Sequence, residues 1–169
     1  MNLLRSDAGA SPPFLSPIAI NLPQGQLVAI IIVEQFKSSL PEQEIAMEHS
    51  PGFLKSVNDA KSRVRENTPE DVKRKQEAGE SFHFVDVRED KEWQKGHAAG
   101  AIHLGKGIIE RDIEKAIPDH DAEIILYCGG GFRSALAADA LQNMGYKNVI
   151  SMDGGWSRWR ELGYPVEQE

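Results

Sequence analysis

Cys128, the only cysteine of this chain, opens the run Cys128-Gly129-Gly130-Gly131-Phe132-Arg133. A thiol followed by three glycines and an arginine has the makings of a nucleophile set in an anion cradle. Just before it, Ile124-Ile125-Leu126-Tyr127 is a short apolar run of the kind that fills a strand buried on both faces. Just after it, Leu136, Ala137, Ala140, Leu141 and Met144 recur at helical spacing, and Gly145 follows as a left-handed cap. The sulfur is therefore expected where a strand delivers the chain into a helix.

That position gives a physical reason for reactivity. The first amides of a helix have no partner within it, and they carry the positive end of its dipole, so they favour an anion such as a thiolate. Glycines keep side chains out of the bowl and let several amides aim at one point. Arg133 is close enough in sequence to add charge. The plainer alternative is a flexible turn with an inert, half-buried thiol, since free cysteine is often a small buried hydrophobe.

These residues resemble the active loop of the rhodanese family, sulfurtransferase modules in which a cysteine is followed through four residues by an arginine or similar polar residue. Three further segments carry the resemblance: Asp86-Val87-Arg88 is similar to the family's D-V-R motif, Gly96-His97-Ala98-Ala99-Gly100-Ala101-Ile102 to its G-H-I-P-G-A-I segment, and Asp153-Gly154-Gly155-Trp156 to its G-G-W signature. Together they span roughly residues 64 to 166 in the family's order. The chain departs from the pattern in two places. Ala98-Ala99 replaces Ile-Pro, and Gly129 and Gly130 stand where many thiosulfate-using members carry basic side chains.

The resemblance implies a ping-pong relay in which the Cys128 thiolate takes the outer sulfur of a donor such as thiosulfate and a thiophilic acceptor then removes it from the persulfide. Gly129, Gly130, Gly131, Phe132, Arg133 and Ser134 would hold the anionic donor, with no metal and no organic cofactor. The implied partners are a small anionic sulfur donor and a thiophilic acceptor such as cyanide or a thiol, or a protein that accepts sulfur. Two other classes stay open. One is a phosphatase of the cysteine, five residues, arginine type, whose loop is one residue longer than this one. The other is a module that only carries sulfur or binds a partner.

Asp86 and Arg88 leave a strand at the same sheet edge as the loop. A structural ion pair or cap is the expected role, with electrostatic tuning of the site as the alternative. His97 and His103 are expected as hydrogen-bonded turn residues, although either could serve as a base. His49, His83 and His120 share no metal-ligand spacing with Cys128. Trp156 and Trp159, three apart on a short helix, read as packing anchors.

The elements that must position these groups alternate. A capped helix runs from Thr68 to about Ala78, followed by a strand Phe82 to Val87, a helix near Glu89 to Lys95, a short strand Ala101 to Leu104 and a helix near Ile108 to Ala116. Strand, loop, helix and a strand near Val149 come next. This order predicts an α/β fold, rhodanese-like, with a mostly parallel sheet and helices on both faces. With 169 residues the chain suits one compact domain plus an extension, and its formal charge of −7 argues against nucleic acid or an anionic membrane as partner. A lone cysteine excludes an intramolecular disulfide and points to a reducing, cytoplasmic setting.

The domain is expected over residues 47 to 169, beginning near Ser50-Pro51, which reads as a helix cap and first turn before Phe53, Val57, Ala60 and Val64. Residues 1 to 46 are expected as a poorly ordered or non-native extension rich in proline. Translation from Met47 is the corresponding expectation for the natural start. The one strong apolar run in that extension, Leu27 to Val33, has seven residues, too few for the roughly 20 that cross a bilayer.

Overall fold

The computed structural model describes residues 49–168. The extension, the Leu27 to Val33 run and Met47 lie outside the described residues. Helix α1 (Pro51–Lys61) starts as its sequence implies, with the Ser50 side chain accepting from the Phe53 amide and proline in the first turn. Strand β1 (Arg65–Asn67) follows, then α2 (Pro69–Glu77), which opens on a reciprocal capping box between Thr68 and Asp71. Next come β2 (His83–Asp86), the short helix α3 (Asp90–Trp93), β3 (His97–Ala98), β4 (Ile102–His103) and α4 (Ile109–Ala116). The chain closes with β5 (Ile124–Tyr127), α5 (Phe132–Asn143), β6 (Val149–Met152), α6 (Gly155–Glu161) and β7 (Val166–Glu167).

Five strands form a sheet in the order β1-β6-β5-β2-β4, every pair parallel. The expected alternation of strand and helix thus yields an entirely parallel main sheet. Strands β3 and β7 form a separate antiparallel pair. Strand β1 is an addition to the sequence reading. Arg65-Glu66-Asn67 has no apolar pattern because it is a mostly exposed edge strand, placed by its backbone pairing to β6.

Period-two alternation in β5 divides the core. Ile124, Leu126 and Cys128 face one layer with Ile109 and Ile113 of α4 and Ala135, Ala138 and Leu141 of α5. Ile125 and Tyr127 face the other with Val72 of α2, Met152 of β6 and Trp159 of α6. Helices therefore cover both faces, and β5, fully buried at all four positions, is the central strand that presents Cys128.

Candidate active site

The chain leaves β5 at Tyr127 and enters α5 at Phe132, so Cys128 begins the connecting loop at the carboxyl edge of the sheet. Gly131 is the N-cap of α5 at φ 97°, a conformation that favours glycine, and having no side chain it leaves the first-turn amides without a side-chain cap. The Gly131 amide donates to Cys128 Sγ at 3.2 Å, and Ser134 Oγ donates to the same sulfur at 3.7 Å. Ser134 Oγ also lies 2.9 Å from Ser151 Oγ on β6. The sequence assigned Ser134 to the donor. Its hydroxyl is instead fully buried and turned to the cysteine sulfur, with Ser151 behind it.

Two of the loop's carbonyls, those of Cys128 and Gly129, are bound by the start of α6. Trp156 N–H donates to Cys128 O at 2.7 Å and Ser157 N–H to Gly129 O at 3.0 Å. With these two carbonyls bound to α6, the Gly131 amide faces the sulfur. This junction explains the Gly154-Gly155-Trp156 segment physically, because a Cβ on Gly155 would lie 2.3 Å from Cys128 O. The segment is the support of the loop, and Trp156 contributes its backbone as well as its ring.

Cys128 itself is 1% exposed, enclosed by Gly131, Ser134 and the first turn of α5. Gly130 is exposed and a Cβ there would meet nothing within 4 Å, which makes it the open side of the loop. Phe132 turns outward to His49 and Phe53, with ring centroids at 5.0 and 6.3 Å, and Lys61 Nζ sits 5.8 Å from its ring.

Arg133 is differently placed from a free cation. Its guanidinium makes a bidentate pair with Glu92, Nη1 donating to Oε2 at 2.6 Å and Nη2 to Oε1 at 2.9 Å, with Glu89 3.9 Å away. Hydrogen bonding from Arg133 holds the Glu92 carboxyl below the usual glutamate range, and hydrogen bonding to Glu92 raises Arg133 in turn. The charge that the sequence assigned to the loop is largely compensated. Glu92 lies 41 positions away and also closes the α3 capping box with Glu89.

Asp86 and Arg88 form a sealed pair at 2.7 Å, with Arg88 also donating to Gly96 O at 2.7 Å and stacking 4.6 Å from the Trp156 ring. Neither hydrogen-bonds to the cysteine sulfur. Burial, with the Asp86 charge adding to it, pushes the neighbouring Tyr127 hydroxyl well above the usual tyrosine range, and that oxygen accepts from the Ala98 amide. His97 lies in β3 rather than a turn. Its ring is buried against Trp93 at 3.4 Å, with His103 on the same indole at 5.0 Å. His103 Nε2 donates to Arg88 O at 2.9 Å, so both histidines pack on α3 and the Asp86-Arg88 segment.

Among the described residues no group of three His, Cys, Asp or Glu side chains is placed to hold a metal ion. No described helix is long and apolar enough to cross a membrane.

A family model, the rhodanese-like domain, matches residues 68–162. The thiosulfate sulfurtransferase GlpE of Vibrio cholerae is 34% identical over 85 residues, covering 50% of this chain and 78% of that protein. A putative sulfur carrier protein of Bacillus subtilis, YrkF, is 33% identical over 98 residues, covering 58% of this chain and 52% of that one. Among solved structures, a Rhodopseudomonas palustris protein described as of unknown function and a possible tyrosine phosphatase superposes with a TM-score of 0.65 at 30% identity, covering 71% of this chain and 97% of the other.

Proposed function

This chain belongs to the rhodanese-like domain family, and we propose that it is a sulfurtransferase that moves sulfane sulfur from thiosulfate or a similar donor to a thiophilic acceptor through a persulfide on Cys128. The observation that carries this reading is the orientation of the loop. The Cys128 and Gly129 carbonyls are held by α6, and the Gly131 amide and the Ser134 hydroxyl both donate to the sulfur. Such donors stabilise a thiolate and then the terminal sulfur of a persulfide, as an oxyanion hole stabilises developing charge. Likeness to thiosulfate sulfurtransferases supports the reaction class. Gly129, Gly130, Gly131, Phe132 and Arg133 shape the donor's approach, while Ser134 acts on the sulfur. Asp86, Arg88 and His97 are supporting residues that hold the sheet edge. The chemistry proposed for Cys128 requires no metal or organic cofactor.

A sulfur-carrier role uses the same persulfide and is supported by likeness to the putative carrier. A phosphatase reading is supported by the Rhodopseudomonas protein's description. Against it stand the loop of four residues between Cys128 and Arg133 and the buried sulfur, which leave room for one sulfur atom more readily than for a phosphoryl group.

Steady-state assays separate the three. Thiocyanate release from thiosulfate and cyanide, abolished in Cys128→Ser, is expected for the enzyme. Stable sulfur loading without turnover indicates a carrier, and hydrolysis of an aryl phosphate without sulfur loading would overturn the proposal.

A further inference from the structure

Thiosulfate carries two negative charges, so its attack by a thiolate brings three together, and such a donor needs uncompensated positive charge at the loop. Among the described residues, the two cations in contact with loop side chains, Arg133 and Lys61, are both occupied. Arg133 is bound by Glu92 with Glu89 nearby, and Lys61, beside Phe132, is bound by Glu66 at 2.8 Å and Asp153 at 2.7 Å. Two cations thus stand among four carboxylates. Although burial opposes the Lys61 charge, hydrogen bonds to Asp153 and Glu66 outweigh it and hold that ammonium above its usual range. Asp153 is close to the loop itself, since a Cβ built on Gly131 would meet its Oδ1 at 3.1 Å. Gly129 belongs to the same arrangement. A Cβ there would meet Arg133 Nη2 at 3.4 Å, an ordinary contact that shows the guanidinium lying beside the first residue after the cysteine.

We propose that Glu92 is a specificity-determining residue: by holding Arg133 it sets the Cys128 loop for a sulfur donor of low charge, a persulfide R–S–SH, in preference to thiosulfate. This rests on the sulfur-transfer reading. The Cys128 thiolate forms a bond to the outer sulfur of R–S–SH, the donor's S–S bond breaks, and its electron pair leaves as R–S⁻. Cys128–S–SH results, with the hydrogen retained on the transferred sulfur. One negative charge stands on each side, and no external oxidant or reductant enters. With thiosulfate the same bond change would release sulfite.

The test loads the full chain, Glu92→Gln and Glu92→Asp in single turnover with thiosulfate or with cysteine persulfide, reading sulfur gain by intact mass. At equal concentrations the unmodified protein is expected to load about tenfold or more faster from the persulfide, and Glu92→Gln to raise the thiosulfate-to-persulfide rate ratio about tenfold. Freed of its carboxylate, Arg133 should also make thiosulfate loading fall more steeply with added salt, whereas Glu92→Asp, which keeps the charge, should hold the original ratio. The persulfide rate in each preparation reports whether the variant is folded, and the donor preference of the unmodified protein stands independently of any variant. Faster loading from thiosulfate, or an unchanged ratio in a folded Glu92→Gln, overturns the donor assignment and leaves sulfur transfer intact. No sulfur gained from either donor overturns both.

Discussion

Two arginines, each held by a carboxylate, differ in burial. The Arg88 and Asp86 side chains are 3% and 0% exposed, whereas those of Arg133 and Glu92 are 30% and 38% exposed. In the first pair Arg88 Nε and Nη2 donate to Asp86, Nη2 donates also to Gly96 O, and the guanidinium stacks on the Trp156 ring. Such a pair fixes the sheet edge from which the active loop hangs, and breaking it strands a charge in a dry place. In the second pair water competes for both partners, so the pair can be altered without loss of the fold. Similar chemistry thus yields a structural clamp in one place and an adjustable electrostatic element in the other.

Removing the buried partner gives the largest expected effect. Asp86→Ala should destabilise by roughly 3–5 kcal/mol, read as a lower denaturation midpoint in urea at unchanged slope. A loss below about 1 kcal/mol would mean that Arg88 reaches water and that the contrast is unfounded. Next is the support under the loop: Gly155→Ala places a Cβ 2.3 Å from Cys128 O at φ 50°, and the forced shift should cost roughly 1–3 kcal/mol and slow sulfur loading in proportion to the displaced amides. Wild-type loading in that variant would detach α6 from the site. By contrast, Arg133→Ala should change stability by less than about 1 kcal/mol and reduce loading from thiosulfate only several-fold, because Glu92 already offsets its charge. The smallest effect concerns acid. Glu92 has its carboxyl depressed from 4.5 in the folded state, so the pair's contribution is complete above that value and is lost as pH falls through the lower folded one. Glu92→Gln should therefore flatten the acid limb of the stability profile by a few tenths of a kcal/mol, a difference that salt should erase.

Much of this arrangement was legible in the chain. The apolar run Ile124 to Tyr127, the glycine loop and the helical periodicity after it place Cys128 where the structure has it, since a buried parallel strand and an amphipathic helix write their periods directly into sequence. Residues whose roles depend on long-range contact were hidden. Glu92 and Lys61 reach the loop from α3 and α1, and neither spacing nor composition announces a pair 41 positions apart. Ser151 left one signal, a lone polar residue in the buried strand Val149 to Met152, which marks a hydroxyl with a fixed partner.

The central claim is that a nearly buried Cys128 accepts a single sulfur atom beside the Gly131 amide and the Ser134 hydroxyl. Intact mass spectrometry of the protein after brief exposure to a sulfane-sulfur donor, with peptide mapping, tests it most directly. The account predicts one added sulfur located on Cys128, removed by cyanide and absent in Cys128→Ser. A protein that stays unmodified while remaining folded, or that carries added sulfur elsewhere, would contradict it.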